Sequence, residues 1–226
     1  MRRLTTLLAV ACLPLPVASA GAATIIAPVS ATIEVGGLGE GLIENTFNQA
    51  GLSSNYTSGV TDFDSYIGSN PTHTFVFEGF EWFGNFGTTT AQVTYNLGSA
   101  MRIDRLALWN EETAGIGTLA LSSSLDGITF TSLGVFTPYD NPLTDYSAEV
   151  FSFAAANAQY VRFGMSNCPQ ADPAGYASCS IGEVAFSSLG AIPEPATWAM
   201  MLLGLLGIGG ALRVSRPTIR MASPAL

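Results

Sequence analysis

The chain has 226 residues, of which 48% are hydrophobic and only 11% are charged, and its formal net charge is −9. It contains no lysine; all 17 acidic residues but only three of the eight arginines lie between residues 21 and 195, which gives that region a formal charge of −14. Because phosphate groups and anionic lipids are bound by clustered Lys and Arg, this composition argues against a nucleic-acid partner.

The first 20 residues read as a secretory signal peptide. Arg2 and Arg3 supply a positive start, Leu4–Val17 is a short apolar stretch, and Ala18-Ser19-Ala20 places small residues before a cleavage site. We therefore expect an exported protein with one ectodomain over residues 21–190, because about 170 residues are enough for one domain with its own core.

Residues 24–60 show no clear pattern, and we assign them no role. Their glycine-rich run Gly36–Gly41 lacks the Gly-Lys-Ser/Thr of a phosphate-binding loop and does not fit the dinucleotide-binding fingerprint. We interpret this run as a flexible turn.

From Thr72 onward, short β-type runs alternate with turn residues. Val161-Arg162-Phe163 shows the period-two alternation of a half-buried strand, and Leu125-Asp126-Gly127 indicates a hairpin turn. No long amphipathic helix is visible before Ala196, so we predict an all-β fold, a β-sandwich of jelly-roll type. The eight predicted strands are Thr72–Glu78, Ala91–Leu97, Ile103–Trp109, Thr118–Ser123, Thr129–Phe136, Glu149–Phe153, Tyr160–Met165 and Gly182–Ser187.

Four segments, in this order, resemble motifs of discoidin-type domains, also called coagulation-factor C-terminal-type or galactose-binding-like domains. They are Leu97–Leu106 (similar to L-G-x-x-x-x-I-x-x-L), Leu121–Phe130 (S-x-D-G-x-x-F/W), Ala158–Phe163 (A-R-Y-V-R) and Ile181–Phe186 (I-x-E-x-x-F). The resemblance implies a β-sandwich that binds ligands through loops at one end. Many members bind sugars, and others bind lipids or proteins. Gln159 departs from the family's usual Arg.

Two cysteines remain once the signal peptide is removed, Cys168 and Cys179. In an exported chain such a pair favours a disulfide, which here would fasten a polar surface loop. A pair of metal ligands is the alternative, although no His or further Cys lies nearby in the sequence.

Aromatic residues are concentrated between Phe75 and Phe86. Trp82 stands among glycines, so its ring could stack on a sugar while Glu81 and Asn85 bond to the sugar's hydroxyls. Trp109, at a strand end, is a similar case. Packing in the core is the other interpretation of these tryptophans, and the sequence leaves both open.

Sugar-binding discoidin-type domains often hold one structural calcium ion between an early loop and the last strand. By that resemblance Glu183 is the late ligand, and Asp62 or Asp64 would be the early ones. The alternative, a hydrogen-bonded or exposed carboxylate, stays open, because no Asp-x-Asp-x-Asp-Gly loop supports calcium independently.

Sequence gives little support to catalysis. His73 is the only histidine, and neither a Gly-x-Ser-x-Gly nor a His-Glu-x-x-His motif occurs. Carboxylates can cleave glycosides as an acid and a base, but here the candidates qualify by residue type alone, and solvated surface positions are the simpler interpretation. These candidates are Glu78, Glu81, Glu111 and Glu112.

Near the C-terminus, Pro193-Glu194-Pro195 precedes an uncharged apolar stretch over residues 196–212, which is followed by Arg213 and Arg216. At 1.5 Å per residue this stretch spans about 25 Å, near the short limit for crossing a bilayer. Because only a helix pairs all its own backbone groups in lipid, we predict one transmembrane helix. The arginines after it favour the cytoplasmic side, which leaves the ectodomain outside.

These parts, within residues 191–220, resemble the PEP-CTERM sorting signal of bacterial exported proteins. The resemblance implies an exosortase-type processing enzyme as partner, cleavage near the Pro-Glu-Pro, and delivery to the cell surface or an extracellular matrix. Val214–Leu226, which includes a tail at residues 221–226, is longer than the short basic stub usual in the family. A membrane anchor that is never cut is the alternative, and it too places the ectodomain outside.

Together these observations predict an exported bacterial surface or matrix protein that is not an enzyme and binds carbohydrate, such as exopolysaccharide, through sandwich loops. A structural matrix protein that self-associates without a small ligand is the second hypothesis. An envelope hydrolase is the third.

Overall fold

The structure is a computed structural model, and it describes residues 22–76, 79–170 and 176–189. The described residues belong to one compact unit, Gly21–Ile192. They form strands β1 (Thr24–Ile26), β2 (Ser30–Val35), β3 (Glu40–Gly41), β4 (Thr72–His73), β5 (Trp82–Phe83), β6 (Thr90–Trp109), β7 (Thr118–Ser124), β8 (Thr131–Phe136), β9 (Tyr146–Ser147), β10 (Glu149–Ser166), β11 (Ser180–Ile181) and β12 (Glu183–Ser188), the helix α1 (Phe63–Gly68) and a 3₁₀ helix (Ile43–Thr46).

The two longest strands, β6 and β10, run through both layers of an all-β sandwich. In the first layer, the second half of β6 pairs with β12 and with the first half of β10, and β12 pairs with β1. In the second layer, the first half of β6 pairs with β2 and with the second half of β10, which also pairs with β7, and β7 pairs with β8. All of these pairings are antiparallel, as expected for a jelly-roll-type sandwich.

The predicted strands on either side of residue 100 are a single strand, and so are those on either side of residue 156. Gly98 adopts φ +85°, which allows β6 to bend without leaving its partner. Pairing continues across the bend, since Met101 lies opposite Ala158, and the register shifts in β10 between Ser152 and Tyr160 absorb the curvature. The sequence pattern breaks at such bends although the strand does not.

Other predicted strands need smaller changes. Those at Thr118–Ser123, Thr129–Phe136 and Gly182–Ser187 are confirmed as β7, β8 and β12 to within two residues. The strand predicted from Thr72 ends at His73, where the chain turns away to bond with Gly51 and Asp145 instead of a neighbouring strand.

The hairpin prediction is confirmed between β7 and β8. Asp126 accepts backbone hydrogen bonds from Ile128 and Thr129, both at 2.8 Å, and Gly127 adopts φ +72°. These backbone bonds stabilise the carboxylate and lower the pKa of Asp126 to about 2.

The main core lies between the two layers. Inward residues of β6 and β12 in the first layer meet inward residues of β6, β7 and β10 in the second. At its centre Phe163 contacts Tyr95 edge-on at 4.9 Å and Phe186 at 6.4 Å between ring centroids. All three rings are fully buried, so they contribute both apolar area and ring–ring attraction.

A second, smaller core covers the outer face of the first layer. The side chains of Ala107, Trp109 and Ala185 alternate with those that face the main core, and they pack under Phe63 and Tyr66 of α1. Asp62 caps α1 by accepting a hydrogen bond from the Ser65 backbone N–H at 2.7 Å. Residues 24–60, to which we assigned no role from the sequence, therefore supply β1, β2 and the loops that cover this face.

Among the described residues, no helix has the length and the apolar character needed to cross a membrane. The predicted signal peptide (1–20), the transmembrane stretch (196–212) and the sorting motif with Pro193, Glu194, Pro195, Arg213 and Arg216 lie outside the described residues.

Candidate ligand-binding cleft

A cleft of about 520 Å³ opens at the end of the sandwich where β6 finishes and β10 begins. The loop between β8 and β9 forms one wall, and the chain leaving β6 forms the other. The connection between β8 and β9 is nine residues long. Its lining residues are Asn110, Tyr139, Asn141, Pro142, Asp145, Tyr146, Ser147, Ala148 and Glu149.

Tyr139 presents an aromatic ring at the mouth of the cleft, with 66% of the residue exposed. Its backbone N–H donates to Glu149 Oε2 at 2.7 Å, so its backbone is fixed while the ring stays free. Asn141 Nδ2 donates to the backbone oxygen of Asn110 at 2.6 Å, which ties the loop to the opposite wall. Asp145 is exposed and accepts a hydrogen bond from Phe75 N at 3.2 Å. The cleft therefore combines one free ring with carboxylate and amide groups.

Asn110 and Gln170 hold the wall behind Tyr139. Asn110 is buried, accepts from Ile116 N at 2.8 Å and donates to Tyr139 O at 3.0 Å and to Gln170 Oε1 at 2.7 Å. Gln170 Nε2 in turn donates to Pro138 O at 2.7 Å. Three loops thus meet through two amide side chains, and the cleft wall is preorganised.

The disulfide predicted between Cys168 and Cys179 is present, with 4.9 Å between their Cα atoms. Both half-cystines are buried. Gln170 lies two residues after the first, and Ser180 directly follows the second, so the disulfide fixes the chain on both sides of the cleft wall. The alternative of a metal pair is wrong, because the two sulfurs are bonded to each other.

A carboxyl cluster, which we define as Glu81, Glu111 and Glu112, lies beneath the cleft. Tyr146, in the cleft lining, donates its hydroxyl to Glu81 Oε1 at 3.1 Å. Glu111 Oε2 accepts from Ser180 Oγ at 2.7 Å and from the backbone N–H of Ala114. Exposure of the three Glu residues is 2%, 2% and 9%, so the cluster is closed off from solvent.

Burial and mutual repulsion raise the pKa of all three carboxyls. Desolvation, then the nearby Glu111 and Glu112, raise the pKa of Glu81 to about 8. Desolvation, then Glu111, raise the pKa of Glu112 to about 8, and desolvation also raises the pKa of Glu111. Removing a carboxylate from water disfavours its charged form unless a cation compensates it, and none is present here among the described residues.

His73 contacts the cluster without neutralising it. Its Nδ1 lies 3.5 Å from Glu81 Oε1, a distance that would suit an ion pair. Desolvation, however, lowers the pKa of His73 while it raises that of Glu81, so both partners are neutral near pH 7. We interpret the contact as one between neutral groups, since both side chains are almost fully buried and each charged form would be costly.

The structure corrects the expected ligand-binding role of the two tryptophans. Trp82 and Trp109 are both fully buried, and Trp109 Nε1 donates to Pro71 O at 2.9 Å within the second core. Neither ring can stack on a sugar at the surface, so core packing is the correct one of the two interpretations. Glu81 is buried as well and faces Tyr146 instead of solvent.

Asn85 is exposed, but it forms hydrogen bonds with the glycine-rich run Gly36–Gly41. Its Oδ1 accepts from Gly39 N at 3.1 Å, and its own N–H donates to Gly36 O at 2.7 Å. Gly39 has φ +43°, and a Cβ there would lie 2.1 Å from Phe83 O. The run Gly36–Gly41 is therefore packed closely against residues 83–85, which corrects the interpretation as a flexible turn.

The three residues predicted to bind calcium have different surroundings. Asp62 caps α1, and Asp64 pairs with Arg105. Glu183 is fully buried; its Oε2 accepts from Gln49 N at 3.0 Å, and its Oε1 has no hydrogen-bond partner. In the part of the chain that the structure describes, no group of three or more His, Cys, Asp or Glu side chains could hold a metal ion, so these three do not converge on one site.

The carboxylates considered for glycoside cleavage are also placed differently from the expectation. Glu81, Glu111 and Glu112 are buried together and not on a solvated surface, while Glu78 lies outside the described residues. An acid and a base must flank the sugar on either side of the bond that breaks, whereas these three side chains are buried and none of them lines the cleft.

The residues that line the cleft were not predicted from the sequence. Tyr139, Asn141 and Asp145 lie in the long gap between the predicted strands Thr129–Phe136 and Glu149–Phe153, and Glu149 begins the second of these strands. A long connection rich in Tyr, Asn, Asp and Pro between two strands was the available signal, because long loops in compact domains are often functional.

Solved structures of carbohydrate-binding modules resemble this chain at low identity. The CBM32 of AlyQ in complex with 4,5-unsaturated mannuronic acid is 19% identical, with 72% of this chain and 96% of that chain covered and a TM-score of 0.45. Chitosan-binding module 1 of a chitosanase/glucanase from Paenibacillus sp. IK-5 is 20% identical (71% and 95% covered, TM-score 0.44). CpGH89CBM32-5 from Clostridium perfringens, in complex with GalNAc-β-1,3-galactose, is 16% identical (73% and 99% covered, TM-score 0.45).

No curated protein matches the chain significantly. A family model, described as the PEP-CTERM protein-sorting motif, matches residues 191–216. This match confirms the interpretation of Pro193-Glu194-Pro195 and the arginine-flanked stretch after it, which is typical of an exported protein with a C-terminal membrane anchor before processing. The chain thus combines an all-β sandwich with a PEP-CTERM sorting motif.

Proposed function

We propose that this protein is an exported, non-catalytic carbohydrate-binding protein, which takes a glycan into the cleft at the end of its sandwich. The observation that carries the proposal is the Tyr139 ring, exposed at the mouth of a preformed cleft beside Asp145, Asn141 and Glu149. An aromatic face packs on the apolar face of a sugar ring, and carboxylate and amide oxygens accept hydrogen bonds from its hydroxyls.

The rigidity of the cleft supports this role. Asn110 and Gln170 already fix the wall in the free protein, so little conformational freedom remains to be lost when a ligand binds. The discoidin-type motifs agree with the placement, because the resemblance implies ligand binding by loops at one end of the sandwich.

The charges around the cleft favour one class of glycan. Asp145 and Glu149 line it and Asp140 follows Tyr139, whereas Arg102, Arg105 and Arg162, the arginines of the ectodomain, are not among the lining residues. Neutral or amine-bearing sugars fit these charges, and uronic acids are repelled. We therefore propose a neutral or amine-bearing exopolysaccharide as the ligand.

The sorting motif supports the location of this activity. An exosortase-type enzyme that recognises residues 191–216 and cleaves near the Pro-Glu-Pro would release the sandwich to the cell surface or an extracellular matrix. Before cleavage the apolar stretch 196–212 would hold the protein in the membrane.

Calcium remains a proposal, now centred on Glu183. The unpartnered Oε1 of this buried carboxylate is a suitable oxygen for a hard cation. Asp62 and Asp64 already have protein partners, so the remaining oxygens would have to come from backbone carbonyls near Gln49, whose N–H bonds to Glu183. A bound ion there would supply only structural support.

The test uses residues 21–192, because both hydrophobic cores lie within this compact unit. Affinity electrophoresis would compare a neutral glucan, an amine-bearing chitosan and an anionic alginate. We expect retardation by the first two classes, and its loss in Tyr139→Ala. Phe86→Ala is the matched control, because Phe86 is 69% exposed but lies outside the cleft. Failure of every glycan to retard the protein, or equal loss in both variants, would refute the proposal.

A further inference from the structure

The carboxyl cluster is joined directly to the cleft. Tyr146 lines the cleft and donates its hydroxyl to Glu81, while Asn110, the residue that holds the cleft wall, immediately precedes Glu111 and Glu112. Glu112 Oε2 is buried, has no hydrogen-bond partner and faces the cluster next to Glu111. Changes in the cluster therefore act on both walls.

No positive charge is available to balance these carboxyls. The chain has no lysine; among the described residues Arg105 pairs with Asp64 and Asp104, Arg162 pairs with Glu34, and Arg102 lies at the bend of β6 opposite Asn157, away from Glu111 and Glu112 after the end of this strand. The titratable groups that face the cluster are His73 from β4, Tyr146 from β9 and the neighbouring Asp145. Of these, only His73 could become a cation, and its burial opposes that charge.

We propose that Glu81, Glu111 and Glu112 form a proton-controlled latch, which keeps the cleft walls together while the carboxyls are protonated and releases them when the carboxyls ionise. The part of this inference that concerns ligand capture rests on the proposed function; the latch itself does not. Protonated carboxyls can pack together and accept hydrogen bonds from the hydroxyls of Tyr146 and Ser180. Two or three carboxylates at that spacing, with no cation, would repel one another and draw water into the floor of the cleft.

The direction of the pH effect follows from the protons that each state binds. In the unfolded chain a glutamate titrates near 4.5, whereas the folded protein holds protons on Glu81 and Glu112 up to a pH of about 8. Each proton held only by the folded state makes the folding equilibrium about tenfold less favourable for every pH unit between these values. The latch is therefore closed in acidic and neutral surroundings and opens as the pH rises past about 8. An exported domain meets the external pH directly.

Two measurements on residues 21–192 test the latch without any glycan, so their result is independent of whether a sugar binds. The first is carbon-13 NMR of selectively labelled glutamate carboxyls in the wild-type protein between pH 4 and 10. We expect at least two carboxyl resonances that titrate near pH 8. Titration of every glutamate below about pH 6 would overturn the proposal.

The second measurement is amide hydrogen exchange at pH 6.5 and pH 9, corrected for the intrinsic rates. We expect residues 139–149 to lose at least tenfold in protection at pH 9, while β7 in the main core keeps its protection. In the double variant Glu81→Gln and Glu112→Gln this loss should disappear, because neither amide can ionise. The control Glu40→Gln changes an exposed carboxylate and should behave as wild type. Equal loss in the cleft and β7, or an unchanged loss in the double variant, would contradict the latch.

Discussion

Gln170 Oε1 accepts a hydrogen bond from Asn110 Nδ2 at 2.7 Å, and this contact joins the disulfide loop to the end of β6. Gln170 Nε2 also donates to Pro138 O at 2.7 Å. The Gln170 side chain therefore links the disulfide loop both to the end of β6 and to the loop between β8 and β9. No ligand is needed to bring these loops together. Gln170 is thus a positioning residue for Tyr139.

Replacing Gln170 with Ala should loosen the cleft more than it destabilises the protein. Two side-chain hydrogen bonds are lost, each worth about 1 kcal/mol in net stability, and Asn110 keeps its bond to Tyr139 O. We expect faster amide exchange at residues 139–141 and a several-fold loss of glycan affinity. Gln159→Ala is the control, since the Gln159 side chain makes no hydrogen bond within the described residues. An equal effect of both substitutions would remove the positioning role.

The sequence was sufficient to predict the parts of this fold that depend on local pattern. The hairpin at Asp126-Gly127 and the alternation around Val161 identified the strands and their turn, because turn chemistry and period-two burial are local properties. The pairing of Cys168 with Cys179 followed from export and from their even number.

The sequence could not predict what depends on contacts between distant residues. Glu81 and Glu111 look like surface carboxylates until Tyr146 and Ser180 are placed beside them. Trp82 among glycines looks exposed until β3 and β11 pair on both sides of it. Because burial is set by the tertiary arrangement, residue type and spacing alone led to the wrong surroundings for these side chains.

Reducing the disulfide, or replacing both half-cystines with Ser, should destabilise the protein by about 3 kcal/mol. The bond closes a loop with a sequence separation of 11, and in the chain-entropy model this restricts the unfolded chain by roughly that amount. Urea unfolding with and without reductant measures it, with the Ser variant as the control insensitive to reductant. Equal midpoints for the oxidised and reduced wild-type protein would show that the bond does not contribute to stability.

Arg162 forms a network of contacts on the outer face of the second layer. Its guanidinium donates to Glu34 Oε1 at 2.7 Å and to Thr94 Oγ1 at 3.1 Å, and it lies 3.6 Å from the centre of the Phe130 ring. With about a quarter of both Arg162 and Glu34 exposed, solvent screens the pair, so we expect Arg162→Ala to cost only about 1–2 kcal/mol.

The control for this substitution is Arg102→Ala, which removes an arginine side chain that has no ion pair within the described residues. Chemical denaturation of the two variants at low and high salt provides the measurement. The Arg162 variant should lose more stability than the control, and the difference should shrink in high salt. An Arg102 variant that is destabilised as much as the Arg162 variant would contradict the network.

Glu183 makes the calcium proposal testable without a glycan. If calcium binds at its free Oε1, the melting temperature of residues 21–192 should rise with calcium concentration and fall on chelation, because a ligand that binds only the folded state stabilises it by mass action. At a hundredfold excess over the dissociation constant the gain is about 2.7 kcal/mol. Glu183→Gln should abolish the response, whereas Asp62→Asn and Asp64→Asn should retain it, since their carboxylates already bind Ser65 and Arg105. A melting temperature that ignores both calcium and chelator would show that the Glu183 carboxyl is held by Gln49 and the surrounding core alone.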